Sequence, residues 1–94
     1  MSTIDPLTRR HLRVLGQVQG VGFRWFARET ASTLGLSGWV RNREDGSVEA
    51  EVEGTQRSLN EFVKRLREDH PSARVDSIEM RPIAARGDRG FVIE

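Results

Sequence analysis

Two apolar stripes at helical spacing, set among segments that alternate apolar and polar residues, predict an α+β fold. The chain has 94 residues, and its 36% hydrophobic content suffices for one two-layer core and no second domain. Each helix needs one covered face, and one face of an antiparallel sheet can cover both.

Residues 1–8, with Pro6 among small polar residues, read as a flexible N-terminus, and 9–94 as the single folded domain. From Arg10 to Val18 the residues Leu12, Val14, Gly16 and Val18 alternate with Arg13 and Gln17, the period of a strand. Leu15 interrupts the polar side. Phe23, Phe26, Ala27, Thr30, Ala31 and Leu34 then fall on one helical stripe, with Gly35 placed to cap the C-terminus. Leu36, Gly38 and Val40 begin a second strand ending near Asn42, and Glu44-Asp45-Gly46 is hairpin-turn chemistry. Val48, Ala50 and Val52 alternate cleanly with Glu49, Glu51 and Glu53.

Thr55 is a suitable N-cap for a second helix, whose stripe is Leu59, Phe62, Val63 and Leu66 and which ends before Pro71. Its charges at i,i+4 (Arg57 with Glu61, Glu61 with Arg65, Lys64 with Glu68) read as a solvated face. Val75, Ile78 and Met80 do not keep one period of two, which predicts a bulge in the fourth strand. Phe91 and Ile93 suggest a short closing strand. The order is β-α-β-β-α-β: a ferredoxin-like βαββαβ sandwich, an antiparallel sheet with two helices on one face. Many activities share that architecture, so function has to come from a site.

Composition narrows the classes. Lys+Arg 15 against Asp+Glu 14 leaves a net charge of +1, which argues against a nucleic-acid binder held by phosphate contacts. Glu49, Glu51 and Glu53 on the cleanest strand would repel a nucleic-acid backbone. Cysteine is absent, so disulfides, thiolate nucleophiles and cysteine metal sites are excluded. His11 and His70 lack ligand spacing, and neither a metal nor another cofactor is expected. His11 reads as structural or exposed. With no signal segment and no apolar run near ~18 residues, the expectation is a cytoplasmic monomer with no membrane partner.

One segment carries chemistry. Gln19-Gly20-Val21-Gly22-Phe23-Arg24 turns from a strand into a helix. Two glycines let several backbone N–H groups face one way, at a helix N-terminus that favours an anion. Arg24 in the first helical turn is unfavourable by a few tenths of a kcal/mol unless something negative sits between it and the dipole. A bound phosphate reverses that sign. On these residues alone, a plain glycine turn with Arg24 facing solvent is the favoured reading, and Asn42 reads as a turn residue. The loop is neither a Walker loop nor a dinucleotide fingerprint, since no Gly-Lys-Ser/Thr follows and Trp25 stands where the third glycine would be. Phe23 lies on the helical stripe and anchors the loop. Trp25 lies off it, where it would shield the loop, and strand parity alone does not orient Trp39.

The run Gly16-Gln17-Val18-Gln19-Gly20-Val21-Gly22-Phe23-Arg24 resembles the G-x-V-Q-G-V-x-F-R signature of the acylphosphatase family. Gly38-Trp39-Val40-Arg41-Asn42, followed by Asp45-Gly46-Ser47-Val48-Glu49, resembles the second family signature. The likeness covers about Leu12 to Ile93. It implies a metal-independent hydrolase of acyl phosphates, with no cofactor. The backbone N–H groups of Gln19, Gly20, Val21, Gly22, Phe23 and Arg24 would cradle the phosphoryl oxygens. Arg24 would bind and orient the phosphate, and Asn42 would hold the attacking water. Inorganic phosphate, the product, would compete in the same cradle. Val18 stands six residues before Arg24, where a thiol phosphatase would carry its cysteine, so a covalent thiolate route is excluded.

Acetyl, carbamoyl and glyceroyl phosphates all fit the resemblance as substrates. A ferredoxin-like module that binds an anion without turnover is the alternative; the presence of both Arg24 and Asn42 argues against it. The same motifs occur in a unit of larger carbamoyl-transfer maturation proteins. A chain bounded closely by the fold favours the free-standing enzyme.

Overall fold

The computed structural model describes residues 6–94. The elements are β1 (Thr8–Gln17), α1 (Phe23–Thr33), β2 (Ser37–Asn42), β3 (Val48–Gly54), α2 (Gln56–Glu68), β4 (Arg74–Ile83) and β5 (Phe91–Ile93). Five strands form one sheet in the order β4-β1-β3-β2-β5. Residues 1–5 of the expected flexible terminus lie outside the described residues. Thr8 already belongs to β1, paired with Gly54. The register between β1 and β4 shifts at Leu15/Gly16: Leu15 faces Ser77 and Gly16 faces Val75, which leaves Asp76 as the extra residue of the expected bulge.

β1, β2, β3 and β4 pair antiparallel. β5 adds to β2 in parallel, so the sheet is mixed. The reason is connectivity. β4 ends with Ile83 opposite Arg9, at the far end of one edge. The chain must cross to the other edge before it pairs again, and it then runs in the direction of β2.

Leu12 and Val14 of β1, Val40 of β2, and Val48, Ala50 and Val52 of β3 share one sheet face. They form a single core with Phe23, Ala27 and Ala31 of α1 and Leu59, Phe62, Val63 and Leu66 of α2. Both helices therefore cover the same face, each burying its predicted stripe. Phe91 closes the edge of this core against Phe62, with ring centroids 6.1 Å apart. Thr55 caps α2, its hydroxyl accepting from Ser58 N at 3.2 Å. Of the three i,i+4 pairs expected along α2, Arg65–Glu61 forms, at 2.8 Å.

The opposite face carries charge. Glu49 and Glu53 of β3, expected as a displayed acidic stripe, are buried. Arg9 is wholly covered; its Nε donates to Glu51 at 2.9 Å and its Nη1 to Glu53 at 3.1 Å. The crossing segment lies over this cluster, with Arg86 N and Gly87 N donating to the Glu53 carboxylate at 2.7 and 2.9 Å. Glu49 receives Arg41 Nε at 2.8 Å and Arg43 Nη1 at 2.7 Å, and its other oxygen lies 2.6 Å from His11 Nε2. Burial alone would raise the Glu49 pKa, but these partners outweigh it and hold the carboxyl at about 2. Trp39 lies on this face too, half-buried, with the Arg41 guanidinium 5.2 Å above its ring.

Candidate active site

The C-terminal ends of β1, β2 and β5 and the N-terminus of α1 meet at one end of the sheet. Gly22 is the N-cap of α1 with φ 76°, and Gly20 has φ 77°. A Cβ built at either would meet nothing within 4 Å, so it is the left-handed backbone, not crowding, that calls for glycine. Gly22 offers no side-chain cap, and the first turn of α1 holds no acidic residue. Its leading N–H groups therefore have no side-chain acceptor, in contrast to α2 with its Thr55 cap.

A cavity of about 190 Å³ opens at this helix end, walled by Gly20, Gly22, Phe23, Arg24 and Asn42. Val18, Trp25 and Ile93 complete it. Five of the seven residues singled out from the sequence are thus brought together. Gln19 and Val21 are not in the wall: Val21 packs toward the core, and the Gln19 side chain turns to the β2–β3 hairpin. Gln19 Nε2 donates to Arg43 O at 2.7 Å and to Ser47 O at 2.9 Å. These bonds tie the glycine loop to the turn that follows Asn42.

Arg24 is half-buried, and its Nη1 donates to the backbone oxygen of Glu94 at 3.2 Å. Glu94 N in turn donates to Val40 O at 2.8 Å, continuing the β5–β2 pairing up to the site. One edge of the guanidinium is steadied in this way, and Arg24 still lines the cavity. Asn42 follows Arg41 at the end of β2, on the same sheet face as Val40 and facing the helix side. Ile93 had no sequence signal as a site residue, because its position depends on the direction of β5. His11 stands on the charged face with Glu49, outside the cavity. Among the described residues, no three His, Asp or Glu side chains converge as metal ligands.

These features define a class: a small α+β domain in which an uncapped helix N-terminus at a strand-to-helix glycine turn shares one cavity with an arginine and with a carboxamide from the end of a neighbouring strand. Over residues 10–93 the chain matches the acylphosphatase family model. An acylphosphatase of Koribacter versatilis is 48% identical over 88 residues, spanning 93% of this chain and 79% of that protein. The crystal structure of acylphosphatase from Bacillus subtilis superposes with a TM-score of 0.89 at 37% identity, covering 95% of this chain and 99% of that one. HypF from T. kodakarensis contains a similar unit, with a TM-score of 0.82 and 37% identity, covering 93% of this chain and 12% of that chain. The chain belongs to the acylphosphatase family.

Proposed function

We propose that this acylphosphatase hydrolyses its acyl phosphate by in-line attack of a water held by Asn42 on a phosphoryl group bound by Arg24 and by the N–H groups of residues 19–24. The observation that carries the reading is the uncapped α1 N-terminus, which shares one cavity with Arg24 and Asn42. An acyl phosphate is a mixed anhydride whose leaving group, a carboxylate, is stable at neutral pH. Protonating it gains little, so a general acid is unnecessary. Water oxygen bonds to phosphorus as the bridging P–O bond breaks; the carboxylate leaves with that electron pair, and the water proton passes to phosphate or solvent. Phosphoryl transfer of this kind depends mainly on positioning and charge neutralisation, which an amide cradle, a guanidinium and a carboxamide supply. Phosphate monoesters, with poor leaving groups, are outside its reach.

The test is hydrolysis of benzoyl phosphate with excess chelator, comparing wild type with Arg24→Ala and Asn42→Ala after circular dichroism has established folding. Chelator-resistant turnover that falls by at least about 10²-fold in each variant is expected. Folded wild type that binds phosphate without turnover would leave an anion-binding module instead. The reading also takes inorganic phosphate to be a competitive inhibitor and the enzyme to be a cytoplasmic monomer with no nucleic-acid or membrane partner. Among the described residues no helix is long and apolar enough to cross a membrane. Sedimentation and phosphate inhibition kinetics check the monomer and the competition.

A further inference from the structure

We propose that Trp25 and Ile93 form an acyl-binding subsite beside the phosphate cradle, selecting acyl phosphates whose acyl group is flat and apolar over acetyl phosphate. The inference rests on the hydrolytic reading above and adds which acyl group the site favours. Trp25 is 58% exposed, while its neighbours Phe23 and Phe26 on the same helix pack into or against the core. More than half of Trp25 is open to solvent, and the residue forms part of the cavity wall that holds Arg24 and Asn42. The wall divides by chemistry. Gly20, Gly22, Arg24 and Asn42 provide polar groups suited to phosphoryl oxygens, whereas Val18, Phe23, Trp25 and Ile93 are apolar. Val18 and Phe23 are buried in the core, which leaves Trp25 and Ile93 with apolar surface to offer.

A mixed anhydride joins its acyl carbon to phosphorus through one bridging oxygen. The acyl group therefore lies within a few ångströms of the bound phosphoryl, inside or at the mouth of the same cavity. Trp25 directly follows Arg24 in the first turn of α1, so the guanidinium and the indole start from adjacent backbone positions. A conjugated planar acyl group can stack on the indole and remove apolar surface of both from water. A methyl group offers little surface to cover. The stacking partner lies away from the phosphorus and is held alike in ground and transition states, so its effect falls on KM, not kcat.

The experiment compares benzoyl phosphate with acetyl phosphate for wild type, Trp25→Ala and Trp25→Phe. It also compares the affinities of phenylphosphonate and methylphosphonate, which need no turnover. Trp25→Ala is expected to lower the benzoyl-over-acetyl ratio of kcat/KM by about tenfold through KM, and to abolish the preference for phenylphosphonate. Trp25→Phe, which keeps a ring, is expected to retain most of both. A benzoyl preference and a phenylphosphonate preference that survive Trp25→Ala in a folded protein would overturn the subsite. Failure of wild type to hydrolyse either substrate, with a Trp25-dependent phenylphosphonate preference, would support the subsite while removing the hydrolytic reading.

Discussion

Gln19 donates to Arg43 O at 2.7 Å, linking the glycine loop to the residue that follows Asn42. The same Nε2 reaches Ser47 O at 2.9 Å, and Arg43 N donates to Ser47 O at 2.9 Å across the turn. The glycine loop and Asn42 belong to different elements, and the Gln19 carboxamide is the bridge between them. Gln19→Ala removes it, and small errors in the distance between phosphoryl group and water are costly. A loss of roughly 10-fold in kcat is expected, with circular dichroism unchanged. Gln19→Glu is expected to be worse, since a carboxylate would face two carbonyl oxygens with no donor. Wild-type kcat in both variants would remove Gln19 from the positioning role.

Arg24 donates from Nη1 to Glu94 O at 3.2 Å and lines the cavity. Lysine at this position keeps the charge but loses the planar fork. In Arg24→Lys, inorganic phosphate is expected to inhibit benzoyl phosphate hydrolysis at least about tenfold more weakly than in wild type. Equal inhibition constants would mean that the phosphate sits elsewhere.

Much of this fold was legible from periodicity and turn chemistry. Both helical stripes, the Gly35 and Thr55 termini, the Asp45-Gly46 turn and the β4 bulge follow from local preferences that packing did not override. Gly20, Gly22 and Arg24 stood out through the glycine turn and the cation at a helix N-terminus, Asn42 only through the family pattern, and the four meet in one cavity. The start of β1 was hidden because Arg9 reads as a surface residue; it is buried only because Glu51, Glu53 and Asp88 surround it. Residues 84–90 have no period at all. Their path is set by bonds to Glu53 and Arg9, and it determines the direction of β5 and so the place of Ile93. The Gln19 bridge and the apolar cavity wall are tertiary relationships that no local pattern carries.

Arg9 stands at the junction of β1, β3 and the crossing segment. Its side chain is 0% exposed, and its Nη2 lies 3.1 Å from Asp88 Oδ2 without hydrogen-bond alignment. Removing the guanidinium leaves Glu53, itself nearly buried, with only the Arg86 and Gly87 N–H groups. Arg9→Ala is therefore expected to cost about 3–5 kcal/mol in urea unfolding at neutral pH. Arg9→Met combined with Glu53→Gln removes the guanidinium and the most buried of its three carboxylate partners, and is expected to cost less than Arg9→Ala alone. A double variant weaker than the single one would show that the ion pair itself, not an uncompensated charge, governs this region.

Glu49 predicts how the protein responds to acid. An ordinary glutamate titrates near 4.5, and Glu49 is held at about 2 by His11, Arg41 and Arg43 against the opposing effect of burial. Between those values the unfolded chain takes up a proton that the folded protein does not. The contribution of Glu49 is thus complete above about pH 5 and is lost as pH falls through the folded value. Asp45 adds in the same direction, lowered by the Ser47 hydroxyl and N–H and by Arg13. Glu49→Gln is expected to be less stable than wild type by about 1.5–3 kcal/mol at pH 7, the worth of charge-assisted hydrogen bonds at a buried group. That gap narrows toward pH 2, where the wild-type carboxyl is itself becoming neutral. Urea unfolding of both proteins across pH 2–7 measures it; a gap independent of pH would mean that the Glu49 carboxylate is not what links folding to acid.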